Sequence, residues 1–214
     1  MRSWPTISAL VLGLAWPSLV GATVCDLVFT GLDTTQADLQ IPAWYSNQPS
    51  QVFDAPDTVL MAVTVWRVPQ SVGVFQGKLY VMEVDSIVGL VRPDESKLLL
   101  DGPTLQLLAG DGIHPTEETW IVDPPLVLPR RGQFAFEIVP LPCAGGELTA
   151  FLGRSGNPYP GGSFWNFDTA DCGPGCCPDN PWEGTIDLAF RVDFCETPVP
   201  TQKMTWGELR AAYR

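Results

Sequence analysis

The sequence predicts a single all-β domain, an antiparallel sandwich or barrel, on two observations. Short apolar segments recur along the chain, and several alternate with the period of two that a half-buried strand shows. Proline and glycine, 21 and 20 of 214 residues, are spread throughout and leave few windows long enough for a helix. The predicted strands cover residues 24–30, 58–68, 75–84, 119–122, 133–139, 147–152 and 186–194.

The N-terminal segment has the composition of a secretory signal peptide. Arg2 supplies a positive start, an apolar run covers Ile7–Val20, and small residues follow as far as Ala22. The run is too short for a membrane-spanning helix, and Pro17 interrupts it. We therefore expect residues 1–22 to be removed, and the mature protein to be secreted or held at the cell surface without a transmembrane segment.

The strand pattern is clearest in two segments. In QFAFEIV (133–139) the aromatic and branched residues alternate along the chain. In IDLAFRVDF (186–194) every second residue is apolar, and Asp187, Arg191 and Asp193 occupy the opposite face. Each segment therefore predicts a strand with one face in the core, and the second predicts a wet face on its other side.

The remaining segments complete the predicted organisation. Pro93–Leu100 (PDESKLLL) has a charged start before a leucine run and predicts a short helix, and Leu108–Glu118 predicts an exposed loop. From Thr197 a proline-containing linker leads to Met204–Arg214, which carries two of the three cations that follow residue 200. The predicted units are a signal peptide (1–22), one β-sandwich domain (23–196) and a linker with a short tail (197–214).

The charge balance argues against nucleic acid and anionic membrane surfaces as partners. Residues 23–200 contain 23 acidic and 8 basic side chains, a net charge of −15. Such a surface repels nucleic acid and anionic lipid headgroups, so neither is an expected partner. Acidic surfaces also keep exported proteins soluble, which is sufficient reason for the imbalance.

Three segments give the chain a family resemblance. They are Gln51-Val52-Phe53, the loop SGNPYPGG (155–162) and the strand DLAFRV (187–192). In this order and spacing they resemble the secreted bacterial β-sandwich domains grouped as "choice-of-anchor" extracellular modules, over roughly residues 25–196. The resemblance implies a jelly-roll-like sandwich on or outside the cell, and it implies no catalytic residues.

The cysteines predict disulfides rather than a metal site. An even number of cysteines in an exported chain favours bridges, and three bridges allow 15 pairings. Zinc is the alternative for the stretch 172–177, but adjacent cysteines rarely both reach one ion. Cys172 could pair with Cys176 or Cys177. Pairing of Cys25 with Cys195, or of Cys143 with one of the adjacent cysteines, also stays open. The six cysteines are Cys25, Cys143, Cys172, Cys176, Cys177 and Cys195.

Two ligand sites are weighed in the SGNPYPGG loop (155–162) and the segment that follows it. Asn166, Asp168 and Asp171 offer hard oxygens for calcium, but their spacing does not match the EF-hand pattern, and a solvated acidic loop is the favoured explanation. No other cofactor is expected. Aromatic residues crowd the same segment and could stack on sugar rings or pack in the core. The candidate sugar platform consists of Tyr159, Trp165 and Trp182.

The expected function is therefore a non-catalytic module for display and interaction outside the cell. One histidine, no GxSxG elbow and no phosphate-binding loop make a hydrolase triad, a histidine zinc site or a nucleotide enzyme unexpected. The first alternative is a carbohydrate-binding module, assisted by calcium. A glycoside hydrolase or lyase, which needs only two carboxylates, is the second. The expected partner is an extracellular glycan or an envelope protein.

Overall fold

The computed structural model describes residues 27–43, 48–69, 75–87, 90–141, 149–167 and 185–195. In these ranges the chain forms twelve strands and a short 3-10 helix, η1 (Thr34–Gln36). The strands are β1 (Leu27–Leu32), β2 (Leu39–Ala43), β3 (Gln48–Ala55), β4 (Val59–Arg67), β5 (Phe75–Ile87), β6 (Leu90–Leu107), β7 (Thr116–Val127), β8 (Gly132–Leu141), β9 (Thr149–Ser155), β10 (Phe164–Phe167), β11 (Ile186–Leu188) and β12 (Phe190–Cys195).

The strands form two sheets in which every pairing is antiparallel. The first sheet has the order β1-β12-β4-β9-β11, with β2 added to β9 and β7 added to β4. The second has the order β10-β3-β8-β5-β6. The prediction of an all-β fold with a sandwich-like arrangement is confirmed. The jelly-roll connection and the disulfide bridges stay predictions.

Aromatic side chains from both sheets fill the core between them. Phe53 on β3 lies 6.2 Å from Phe194 on β12, and Phe136 on β8 lies 5.6 Å from Phe190 on β12, measured between ring centroids. All four rings are buried. Burying each of them stabilises the fold by about 1.5–3 kcal/mol relative to exposure. The two sheets are therefore held together mainly by apolar packing.

The outer side of the second sheet is also buried. Its side chains form a second apolar cluster, and the partly buried Val84, Val91 and Leu141 pack against this cluster. β10 contributes to both cores, since Phe164 joins the cluster between the sheets and Trp165 the outer one. Neighbouring residues of a strand point to opposite faces of the sheet, which places these two rings in different clusters. The outer cluster consists of Val52, Tyr80, Met82, Ala135, Val139, Trp165 and Phe167.

The helix prediction for residues 93–100 is wrong, because this segment belongs to the long strand β6. Pro93 lies opposite Val84 and Leu100 opposite Val81 in a hairpin with β5 that contains several register shifts. Two helical turns are marginal without tertiary support, whereas the hairpin supplies partners along the whole segment. β6 is an edge strand, where a proline is tolerated.

The predicted strand 186–194 is divided in two at Ala189. β11 pairs with β9, whereas β12 lies between β1 and β4. The backbone N–H of Ala189 donates to the carbonyl of Leu152 at 2.9 Å, which fixes the chain at the crossing point. As a result Asp187 is fully buried, and the prediction that it lies on a wet face is wrong.

No helix in the described ranges is long and apolar enough to span a membrane.

Candidate binding site

Two of the three predicted platform residues are buried. Tyr159 is 7% exposed and its ring meets Phe190 edge-on at 5.0 Å. Its hydroxyl lies 2.6 Å from Thr30 Oγ1 and accepts from the backbone N–H of Asp54 at 2.9 Å. Trp165 is 5% exposed and donates to a backbone carbonyl at 3.1 Å. Neither ring offers a free face to a sugar, so both leave the predicted platform.

The other predicted site residues are largely outside the described ranges. Trp182, Asp168 and Asp171 lie there, together with every cysteine except Cys195 at the end of β12. Asn166 Oδ1 is buried and accepts no hydrogen bond from the part of the chain that the structure describes. That part contains no cluster of three histidine, cysteine or carboxylate side chains placed to hold a metal. The calcium and disulfide assignments therefore stay predictions.

The three segments that carry the family resemblance meet in one buried polar network centred on Asp187. Gln51 Nε2 donates to Asp187 Oδ1, and the backbone N–H of Tyr159 donates to Oδ2, both at 2.9 Å. Gln51 Oε1 accepts from the N–H of Leu188 at 2.9 Å. With its amide nitrogen turned towards the carboxylate, Asn157 donates at 3.1–3.2 Å. The network thus joins β3 of the second sheet to β11 of the first and fixes the SGNPYPGG loop over both.

Burial raises the pKa of Asp187 from 3.8 to about 6, against the opposing effect of the hydrogen bonds from Tyr159 and Gln51. The folded protein therefore binds a proton more tightly at this site than the unfolded chain does. Protonation of Asp187 therefore contributes to the stability of the folded state. This contribution is fully present below about pH 4 and is lost as the pH rises through about 6.

This shift predicts a pH dependence of stability. The quantity compared is the free energy of unfolding of wild type minus that of Asp187→Asn. Lowering the pH from 7 to 4 should raise this difference by about 2–3 kcal/mol. The asparagine does not titrate and serves as the reference. Urea unfolding of both proteins at several pH values measures the difference. A difference that stays constant over this range would contradict the prediction.

The outer face of the first sheet, by contrast, is exposed and apolar. Leu27 and Phe29 on β1 and Ile121 and Val127 on β7 are each 68–71% exposed. The register sets Leu27 and Val127 in one row across the sheet, and Phe29 and Ile121 in the next. An antiparallel sheet that faces water normally places polar side chains there. We call this surface the outer face.

A groove of about 680 Å³ crosses one half of the outer face. Phe29 and the half-buried Trp66 line it, and Arg191 and Asp193 lie between them. A Cβ at Gly31 would overlap the carbonyl oxygen of Phe190, so only glycine lets β1 run this close to β12. The groove therefore has aromatic walls and a polar floor.

The charged groups of the floor are held by one another. Arg191 Nε lies 3.0 Å from Asp193 Oδ1, and its Nη2 lies 3.5 Å from Glu117 Oε1. All three side chains are partly exposed. Asp33, also in the lining, caps η1 by accepting from the N–H of Thr35 at 2.9 Å. The lining thus contains two carboxylates, Asp33 and Asp193, and one guanidinium, which gives the groove a net negative charge.

Two of the three aromatic residues chosen from the sequence, Tyr159 and Trp165, are buried, and Trp182 lies outside the described ranges. The signal for the groove is the alternation in β1, where Leu27 and Phe29 share a face. Because both faces of this strand carry apolar residues, sequence does not show which one is covered. The predicted wet face of β12 was a usable signal, since Arg191 and Asp193 do lie on the outer side.

Comparison with known proteins gives no identity. No family model, no curated protein and no solved structure matches the chain.

Proposed function

We propose that the chain is an exported, non-catalytic β-sandwich module that binds a partner at or outside the cell surface through the outer face of its first sheet. The observation that carries the proposal is the group of exposed apolar side chains on that face. Four of the seven large apolar residues that are exposed in the described ranges lie there. Exposed apolar side chains grouped on one face mark interaction sites.

The buried polar groups support a structural rather than a catalytic use. Asp187 has the raised pKa expected of a catalytic acid, but its oxygens already accept hydrogen bonds from Gln51 and Tyr159. The one histidine, His114, is exposed and bonded to Asp111 at 2.8 Å in the loop before β7. The signal-like N-terminus and the even cysteine count support export.

Single substitutions on the outer face test the proposal. We expect Phe29→Ser and Ile121→Ser to reduce retention of the full chain on isolated cell-envelope material of the source organism by at least about fivefold, because each removes apolar contact area at the interface. Both side chains are exposed, so the fold should not change. Sedimentation binding assays on washed envelope fractions give the retained amount.

Leu108→Ser is the matched control. Leu108 is 61% exposed but lies in the loop after β6, a strand of the second sheet, and it does not line the groove. It should bind as wild type does. Equal retention of all four proteins would count against the outer face as the binding surface, and turnover of a polysaccharide by the wild type would count against a non-catalytic role.

A further inference from the structure

The groove on the outer face combines features that suit a particular ligand. We infer that it binds a neutral polysaccharide chain, with Phe29 and Trp66 packing against sugar rings and Arg191, Asp193 and Asp33 bonding to hydroxyl groups. This inference rests on the proposed function and names the partner for the same face.

The aromatic walls supply the apolar part of the recognition. The carbon-bound hydrogens of a pyranose ring form an apolar face that packs against an aromatic ring, while its hydroxyls point sideways. Phe29 is 71% exposed, so its ring is available without any rearrangement. Trp66 is partly exposed at the other end of the groove, and its indole N–H adds a donor.

The floor supplies fixed polar groups between the two rings. Arg191 offers donors only, whereas Asp193 and Asp33 offer acceptors only. A hydroxyl group both donates and accepts, so sugar hydroxyls can bond to either kind of group. The Arg191–Asp193 pair at 3.0 Å holds both side chains in place before any ligand arrives. Such pre-organisation lowers the cost of binding.

The same charged floor disfavours other partners. Interface cores between proteins are depleted in charged residues, and covering this cluster with a protein surface would strip it of water at a high cost. Carboxylates outnumber cations in the groove and in the whole chain, with 24 acidic against 12 basic residues. Acidic polysaccharides and phosphates are therefore repelled. A neutral glycan avoids both penalties.

The spacing of the walls favours a chain over a single sugar. Trp66 lies four residues beyond Ala62, which stands in the same row as Asp193 and Phe29. The two aromatic residues are therefore separated by about 10 Å across the strands and about 13 Å along them. One sugar ring cannot contact both. Oligomers should compete for the site where monosaccharides do not.

Binding of the full chain to a fixed panel tests the inference. The panel contains cellulose, chitin, xylan, β-glucan, mannan and galactomannan, with alginate and polygalacturonate as acidic counterparts. We expect retention on at least one neutral member, and an affinity reduced by at least about fivefold in Phe29→Ala and in Trp66→Ala. Leu108→Ala is the control, and thermal unfolding checks each fold. Should Trp66→Ala unfold, Phe29→Ala alone decides.

The outcomes separate this inference from the proposed function. Retention that depends on Phe29 and is inhibited by the matching oligosaccharide supports the inference. Failure on every neutral member, retention only on the acidic ones, or retention unchanged in both variants overturns it. If the protein binds no member of the panel but Phe29→Ser still lowers binding to the envelope, a neutral glycan is not the ligand and the outer face remains the binding surface. If substitution of Phe29 changes binding in neither assay, both proposals are wrong.

Discussion

Asp187→Ala should reduce the free energy of unfolding by about 3–5 kcal/mol, because it leaves several buried donors without an acceptor. Gln51 Nε2 and the N–H of Tyr159 both lose the carboxylate, and Asn157 loses its contact in the SGNPYPGG loop. The donors of Gln51 and Tyr159 are buried, whereas Asn157 is partly exposed. Such a loss is a large part of the 5–15 kcal/mol that holds a typical domain together.

The measurement is urea unfolding at pH 7, followed by intrinsic fluorescence and circular dichroism. Asp85→Ala is the control, since Asp85 is exposed and accepts a hydrogen bond only from the N–H of Ser86 among the described contacts. It should cost less than about 0.5 kcal/mol. If Asp187→Ala were as mild as the control, Asp187 would not be the acceptor that joins the two sheets.

This network also shows how far the sequence could predict the fold. The three segments of the family resemblance are far apart in the chain, and nothing in their spacing indicates that Gln51 and Asp187 form one hydrogen bond. Alternation indicates correctly that the segment 186–194 is extended. It fails at Asp187 because the strand changes partner at Ala189, and a change of partner depends on tertiary packing.

The candidate site shows a second limit. Composition cannot separate a buried aromatic ring from an exposed one, and the hydroxyl of Tyr159 finds its partners on β1 and β3, more than 100 residues away. Phe29 is exposed although its own strand is as apolar as a core strand. The difference arises because one side of the first sheet packs on the second sheet, and the described chain leaves the other side open.

The second large effect is expected at the end of β4, where an ion pair is buried. Arg67 Nε lies 2.7 Å from Glu118 Oε1, with the arginine fully buried and the carboxylate nearly so. Arg67 also donates to the carbonyl of Leu108, which ties down the loop before β7, and its Nη1 lies 3.5 Å from Thr149 Oγ1. Burial raises the pKa of Glu118, and Arg67 opposes that rise.

Arg67→Met should therefore destabilise the protein by about 3–5 kcal/mol, because it leaves the Glu118 carboxylate buried without its cation. The double variant Arg67→Met, Glu118→Leu should recover most of that loss, since a buried ion pair is often replaced by apolar residues at little cost. Wild type, the two single variants Arg67→Met and Glu118→Leu, and the double variant form a double-mutant cycle. Urea unfolding of all four at pH 7 gives the coupling energy between the two residues directly. Arg130→Met is the control, because its pair with Glu83 at 3.0 Å is exposed and should contribute less than about 1 kcal/mol. A double variant no more stable than Arg67→Met would mean that the arginine acts through its bond to the Leu108 carbonyl rather than through Glu118.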